Sequence, residues 1–281
     1  MGHSQSIIEK EKKNMETQLI NRARAALTES PSLTLVKPTY GFVNTAEIIG
    51  RFERQGWNLS NAKQVKVRSI EREGYQKHML KFRNENFQRI DGLQLFNESI
   101  PELIIENSHD GTGALKIFFG VFRIACLNGI IAGASMASMR VIHSQNAIKN
   151  IDAAIDNMTA GIPDLIERVK RFSTIDLNHE KKIELARIAY GIRLKDTKGA
   201  IVTDYSLEKS LLPKRAADCY HDAFSVFNVL QEKVIRGGLI FQQPDKAGRI
   251  EWKKSRAINS VSQSVKLNRD LWEALETVTA A

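Results

Sequence analysis

The chain has 281 residues, 42% of them hydrophobic, enough to bury a real core and to exclude disorder as its main state. Seventeen Gly without a period, six scattered Pro and two Cys exclude collagen-like, low-complexity and disulfide-framework classes. Forty-one Lys+Arg against 32 Asp+Glu leave a formal charge of +9.

That charge is uneven. Residues 51–90 hold ten Lys/Arg and four Asp/Glu, and residues 236–269 hold eight and two, so each zone carries +6. Two basic zones on a near-neutral body point to a polyanion partner; the alternative is cations that only keep the chain soluble. Cys126 and Cys219 lie far apart in apolar-rich stretches, which fits a reducing host-cell cytoplasm. Residues 1–13 lack an apolar core of signal-peptide length. The longest apolar stretch, 117–134, is interrupted by Arg123, Asn128 and several Gly, and reads as core rather than a membrane span.

In chain order, residues 6–27 place Ile8, Met15, Leu19, Ala23 and Leu27 on one narrow helical stripe. Such a helix packs on a neighbouring subunit or forms a loose arm, and Ser30-Pro31-Ser32 breaks it. Asn44 caps a helix over 44–55, with Glu47 placed as in a capping box, Ile48, Ile49 and Phe52 on one face, and Gly56 as the stop. Residues 59–72 and 76–83 alternate with period two and read as an antiparallel hairpin turning at 71–74. One face is apolar and the other basic. Residues 84–99 form a polar loop, and 101–107 a third strand with Leu103, Ile104 and Ile105. A tight turn follows at 108–113. Asn107 and Asp110 bond their own backbone there, and Gly111 and Gly113 supply unusual φ. Residues 114–129 are apolar nearly throughout and fit a strand followed by a short buried helix, two states that periodicity does not separate here, and 130–143 reads as another strand.

From 147 the pattern turns helical. The predicted helices are 147–172 with a break near Gly161, 178–194 capped by Asp176 or Asn178, 216–235 ended by Gly237-Gly238, and 267–277. The fold class is α+β: an antiparallel hairpin and sheet core in the N-terminal half with helices packed on it, then a mainly helical C-terminal half. The expected divisions are an N-terminal helical arm (1–38), a β-rich core (39–146) and a helical region (147–281) that can be continuous with the core.

Chemical motifs are sparse. The chain lacks HExxH, paired CxxC, GxSxG and the Walker A pattern, so an ATP-driven recombinase or helicase is not expected. His78, His109, Asp110 and His143 are the one set that a metal-dependent nuclease could use; the competing reading is that Asn107, Ser108, His109, Asp110 and Gly111 only build the turn. Cys126 reads as a buried thiol. Cys219 and His221 are two apart, the wrong spacing to face each other on a helix. No catalytic residue, metal or cofactor is expected.

The basic strands say more. Lys63, Lys66, Arg68, Lys77, Lys81 and Arg83 can neutralise a run of phosphates. Trp57, Tyr75 and Phe87 are either base-stacking groups or ordinary core and rim. Arg123, Arg140, Lys253, Lys254 and Arg256 are second-rank DNA contacts. The stretch 236–256 reads either as a flexible phosphate-binding loop or as a solvated linker before the last helix.

Several runs resemble a known family: Lys77-His78-Met79-Leu80-Lys81-Phe82-Arg83, Asn107-Ser108-His109-Asp110-Gly111, Phe122-Arg123-Ile124-Ala125-Cys126-Leu127-Asn128-Gly129, and Val234-Ile235-Arg236-Gly237-Gly238-Leu239. They are similar to the "phage/plasmid-like protein" family, a domain of unknown function carried by prophages, plasmids and genomic islands. The resemblance covers roughly residues 40–272. It implies a setting in DNA metabolism or counter-defence and gives no activity. A remoter resemblance, in element order alone, is to phage single-strand annealing recombinases. It implies strand binding in a basic groove beside a β-hairpin, rings or filaments, and no need for ATP.

The expected function is therefore ATP-independent single-stranded-DNA binding and annealing in recombination of a phage or mobile element. The implied partners are single-stranded DNA, further copies of the chain, and a phage exonuclease or host single-strand-binding protein, with no membrane. Two alternatives stand beside it: an anti-defence protein that binds a host restriction or nuclease component, and the metal-dependent nuclease.

Overall fold

The computed structural model describes residues 14–15, 17–87, 99–123, 133–141, 151–214, 219–258 and 260–280. The fold is α+β. Two compact units divide it: one from residues 1–91, 100–120 and 137–162, the other from 92–99, 121–136 and 163–281. Among the described residues no helix is long and apolar enough to cross a membrane.

A five-stranded sheet, most of whose residues fall in the first unit, has strands that follow chain order. They are β1 (Trp57–Gln64), β2 (His78–Asn84), β3 (Ser99–Asn107), β4 (Leu115–Arg123) and β5 (Gly133–Val141). β1 pairs antiparallel with β2, and β2 antiparallel with β3. Helix α1 (Thr45–Arg54) forms where the local signals place it: the Asn44 side chain accepts from the Ala46 N–H, and Gly56 leaves the last turn at φ +82°. Glu47 does not complete a capping box; it pairs with Arg51 one turn on, at 2.9 Å. Ile48 and Phe52 are fully buried, and the Phe52 ring meets Phe82 edge-on at 4.5 Å. Each such buried side chain contributes about 1.5–3 kcal/mol.

The first expected strand is too long. β1 carries a register shift between Leu59 and Asn61, resumes its pairing with β2, and ends at Gln64 opposite His78. Val65, whose alternation with Lys66 suggested more strand, is 46% exposed, and a 3₁₀ turn at Ile70–Arg72 occupies the connection. The N-terminal stripe also differs. Residues 21–27 are a 3₁₀ segment that buries Ala23, Ala25 and Ala26, while Met15 and Leu27 stay exposed. A kink at Ala23, with φ −139° and ψ 56°, interrupts the winding, so of the predicted stripe only Ala23 is buried in this segment and Ala25 and Ala26 join it. This segment lies against its own sheet: the Ala25 N–H donates to Gln64 Oε1 and the Thr28 hydroxyl to the Gly74 carbonyl.

The first unit also contains α2 (Ile151–Ala160). Trp57, fully buried, donates from Nε1 to the Thr159 hydroxyl of α2 at 3.3 Å, and Arg51 forms an ion pair with Asp152. The chain breaks at Gly161, as expected, before α3 (Ile162–Thr174) with Pro163 in its first turn.

The second unit holds most of α3, then α4 (His179–Leu194), α5 (Asp204–Leu211), α6 (Ala223–Arg236), the strands β6 (Ile240–Pro244) and β7 (Ile250–Lys254), and α7 (Val261–Ala280). Asn178 caps α4 by accepting from the Lys181 N–H. α6 is buried almost all round, which marks it as the central helix. Phe172 and Phe227 both meet the Trp272 ring edge-on, at 5.1 and 5.4 Å. The polar groups inside are matched: Gln231 Nε2 donates to Asn268 Oδ1, and Asn268 Nδ2 to the Ser264 carbonyl. Lys233 reaches from α6 to donate to the carbonyls of Lys209, Ser210 and Leu212, taking up acceptors that the end of α5 leaves open. Two elements escaped the sequence reading. α5 carries a Thr203–Ser206 capping box, and residues 240–254 are a two-stranded antiparallel sheet rather than a loop or linker.

Candidate nucleic-acid interface

The β1–β2 region is not a uniformly basic ribbon. Along β2, His78, Leu80 and Phe82 face α1, while Met79, Lys81 and Arg83 face the other way. On that second face β3 supplies Glu106 opposite Met79 and Glu102 opposite Arg83. Glu102 is buried and accepts from Lys81 Nζ at 3.0 Å and Arg83 at 2.6 Å. Glu106 is buried and sits 3.8 Å from Lys77 and 3.4 Å from Lys116. Lys81 is itself only 5% exposed. Each carboxylate therefore holds two cations; Lys81 is buried in its pair and closed to phosphate, while Arg83 is paired but partly exposed.

The exposed cations lie beyond that ladder. Lys63 is at the end of β1, and Lys66 and Arg68 follow in the connection; all three are exposed. Among the described residues none of the three has a carboxylate at ion-pair distance. Trp57 is fully buried and belongs to the core, and Phe87, half-buried, lies with its ring 6.0 Å from it. Arg123 and Arg140 fall in β4 and β5; their side chains lie outside the described residues, as do Cys126 and His143.

The Asn107–Gly111 turn forms as its residue types require. Asp110 Oδ1 accepts from the Thr112 N–H and hydroxyl, Asn107 Oδ1 accepts from the Ser108 N–H, and Gly111 has φ +74°. Gly113 does not take a positive φ. The turn is anchored from below. Thr45 Oγ1 lies 2.8 Å from His78 Nε2, 3.2 Å from His109 Nε2 and 2.9 Å from Asn107 Nδ2. His78 Nδ1 lies 3.0 Å from the Gln76 carbonyl, so it carries the proton and Nε2 accepts from the Thr45 hydroxyl. Thr45 then accepts from Asn107 and His109, using its one proton and both lone pairs. Asn107, His109 and Thr45 are buried, which fits a structural knot. Tyr40 donates to the Ser108 carbonyl above it, and burial beside the negative Asp110 pushes its phenol up to about 12. No group of three metal-ligating side chains occurs among the described residues.

The second basic zone is ordered. β6 and β7 pair from Ile240↔Lys254 to Pro244↔Ile250. Their turn is tied by Asp245, whose Oδ1 accepts from the Ala247 and Arg249 N–H groups and whose Oδ2 accepts from Arg249 Nε at 3.0 Å. The Arg249 N–H chiefly holds the Asp245 carboxyl below its ordinary value. Lys254 and Arg256 are exposed, and Lys253 pairs with Glu251. Trp252, next to them, is 51% exposed. The sequence reading missed it. The available signal was one aromatic residue inside a run of charged ones, Glu251-Trp252-Lys253-Lys254.

Cys219 is exposed, contrary to its apolar-rich sequence setting, and lines a cavity of about 230 Å³ with His179, Lys182, Glu208 and His221. Lys182 donates to His221 Nδ1 at 3.1 Å, and His179 pairs with Glu208.

Residues 32–272 match the family described as "Domain of unknown function (DUF932)". Two Escherichia coli K12 proteins are similar along most of their length. "UPF0380 protein YfjQ" is 28% identical over 239 residues, 85% of this chain and 82% of its own. "UPF0380 protein YafZ" is 30% identical over 241 residues, with the same coverage of 85% and 82%. No solved structure matches the chain. The match runs through the sheet, the buried turn and the β6–β7 ribbon alike, and the chain belongs to the DUF932 family of domains of unknown function.

Proposed function

We propose that the protein binds single-stranded DNA without ATP and anneals complementary strands, as a homo-oligomer acting in recombination of a phage or mobile element. The observation that supports this best is the exposed row Lys63, Lys66 and Arg68, which stays outside the carboxylate ladder in a chain of net charge +9. Cations that the fold leaves uncompensated release counterions when they meet phosphate, and that release drives binding. Bases held only through the backbone keep their pairing edges open to a complementary strand.

A labelled oligonucleotide titrated across a salt series, without ATP or metal, tests the reading. Replacing Lys63, Lys66 and Arg68 by Ala should weaken binding and lower the slope of log K against log salt by about 2, at roughly 0.7 per lost cation on a single strand. An unchanged slope removes this row from the site. Absence of binding at low salt rejects the DNA reading and redirects the search to a protein partner. A complementary-strand pairing assay and a sizing column then test annealing and assembly.

A further inference from the structure

The β6–β7 ribbon carries a cluster that net charge does not explain. Trp252 and Tyr205 are 51% and 54% exposed, and their rings meet edge-to-face with centroids 5.6 Å apart. Tyr205 stands on α5. Lys209, one turn further along that helix, holds its ammonium 5.4 Å from the Tyr205 ring centroid. The ribbon register puts Ile250, Trp252 and Lys254 on one face of β7, with Gln242 opposite Trp252. Residues 240–256 hold five Lys/Arg against two Asp/Glu. Flat π surface, an amide and uncompensated cations thus share one exposed face.

Those features select among partners. The core of a protein–protein contact is depleted in Lys, whereas this face keeps Lys209 and Lys254 beside its aromatic rings. A duplex hides its base faces inside the stack and has little use for an exposed ring pair. Unpaired bases need both parts, a ring to stack on and a cation for the neighbouring phosphate.

We propose that Trp252 and Tyr205 form a base-stacking platform for single-stranded nucleic acid, with Lys209 and Lys254 holding the adjoining phosphates. This rests on the strand-binding reading above and adds a second site to it, in the other compact unit.

The tryptophans make the test direct. Trp57 and Trp272 are 0% and 3% exposed, so Trp252 is the indole that a bound base can reach. The probe is a thymidine homopolymer with a terminal label, which has no secondary structure to melt. Label anisotropy reports binding, and protein fluorescence reports stacking on Trp252. On the unmodified chain the two signals should move together, and a duplex of equal length should leave the fluorescence unchanged. Trp252→Ala should abolish the quench and weaken homopolymer binding about tenfold or more. Trp252→Phe, which keeps a π face, should retain the affinity within a few-fold while losing the signal. Circular dichroism checks that each variant is folded.

An anisotropy rise without quenching, or wild-type affinity in Trp252→Ala, overturns the platform and leaves the strand-binding reading intact. No anisotropy change at low salt overturns both. A fall in assembly mass in Trp252→Ala, with strand affinity unchanged, overturns the platform in favour of a contact between copies of this chain.

Discussion

Two stretches of this chain are equally rich in Lys and Arg, and the fold treats them in opposite ways. Around β2 and β3, Lys77, Lys81, Arg83 and Lys116 are drawn onto two buried carboxylates of β3, and Lys81 disappears from solvent. On the β6–β7 ribbon, Lys254 and Arg256 stay in water, and the carboxylates nearby are themselves exposed or bound into the turn. Counting cations along the sequence does not separate these cases. The strand register decides, by placing or not placing an acid opposite each base. Cations paired to a buried acid order the sheet; exposed cations without such an acid remain available to a polyanion.

The comparison breaks most visibly at Glu102. Glu102→Ala strips Lys81 and Arg83 of their shared acceptor while leaving Lys81 buried. Removing one partner of a buried ion pair costs about 3–5 kcal/mol, so urea unfolding should show a large drop in midpoint. A loss below about 1 kcal/mol would mean that water reaches the ladder and that it behaves like a surface pair.

Gly237 comes next. The ribbon exposes β7 while β6 buries Phe241, and it is tight at its root, where Gly237 sits at φ +83°. A Cβ there would lie 2.5 Å from the Ser255 carbonyl oxygen and 2.7 Å from the Arg256 carbonyl carbon, both backbone atoms. Gly237→Ala should therefore cost about 1–3 kcal/mol in thermal or urea unfolding. It should also disturb the bonds from Gly238 N–H to Ser255 O and from Ser255 N–H to Leu239 O that seat the ribbon on the end of α6. Wild-type stability in this variant would show that the root gives way easily.

Lys233 sharpens the contrast from a third side, because its acceptors are carbonyls rather than carboxylates. Burial, reinforced by Lys214, pushes its ammonium down to about 8. The unfolded chain keeps that proton to about pH 10.4. Between these values the unfolded state binds more protons, so stability rises with pH. The cost of burying the charge is complete below pH 8 and is relieved as pH climbs toward 10. Lys233→Met should lose about 1–3 kcal/mol by orphaning the α5 carbonyls, and it should lack this pH dependence. Equal slopes for the two proteins from pH 8 to 10 would place the titration elsewhere.

These particulars show where the sequence was legible. Local signals held: Asn44 and Asn178 cap their helices, Gly56 and Gly161 end them, and the Asn107–Gly111 turn follows from its side chains. Each depends on residues a few positions apart. The errors arose where the deciding partner lay far away or where alternation went unanswered. Lys81 and Arg83 meet Glu102 some twenty residues on, and only the β2–β3 register brings them together. Val65 and Val67 kept a strand-like rhythm after the ladder had ended, since nothing local reports a missing neighbour. The ribbon escaped for the opposite reason. β7 is exposed on both faces apart from a half-buried Lys253, and its alternation is confined to Ile250 and Trp252, too short a run to mark a strand among charged residues. α5 was hidden by its brevity, although Thr203 and Ser206 formed a readable start.

The smallest effect is the sharpest test of the comparison. Glu251→Gln removes a carboxylate paired to a lysine, as Glu102→Gln does, but here both partners are about half exposed. Exposed pairs contribute roughly 0–1 kcal/mol, because water screens them and two long side chains lose freedom to meet. Glu251→Gln should therefore shift the unfolding midpoint by less than about 0.5 kcal/mol. Its consequence should appear in binding, since releasing Lys253 adds an uncompensated cation to the ribbon. On the strand-binding reading the affinity at low salt should rise, and the salt slope should steepen by about 0.7. Glu102→Gln should do the reverse, costing stability and leaving the slope nearly unchanged, because Lys81 is buried and Arg83 is about two-thirds covered. If both substitutions moved stability equally, burial would not be what divides the two basic regions. If both moved the salt slope equally, Lys81 and Arg83 would return to the binding surface.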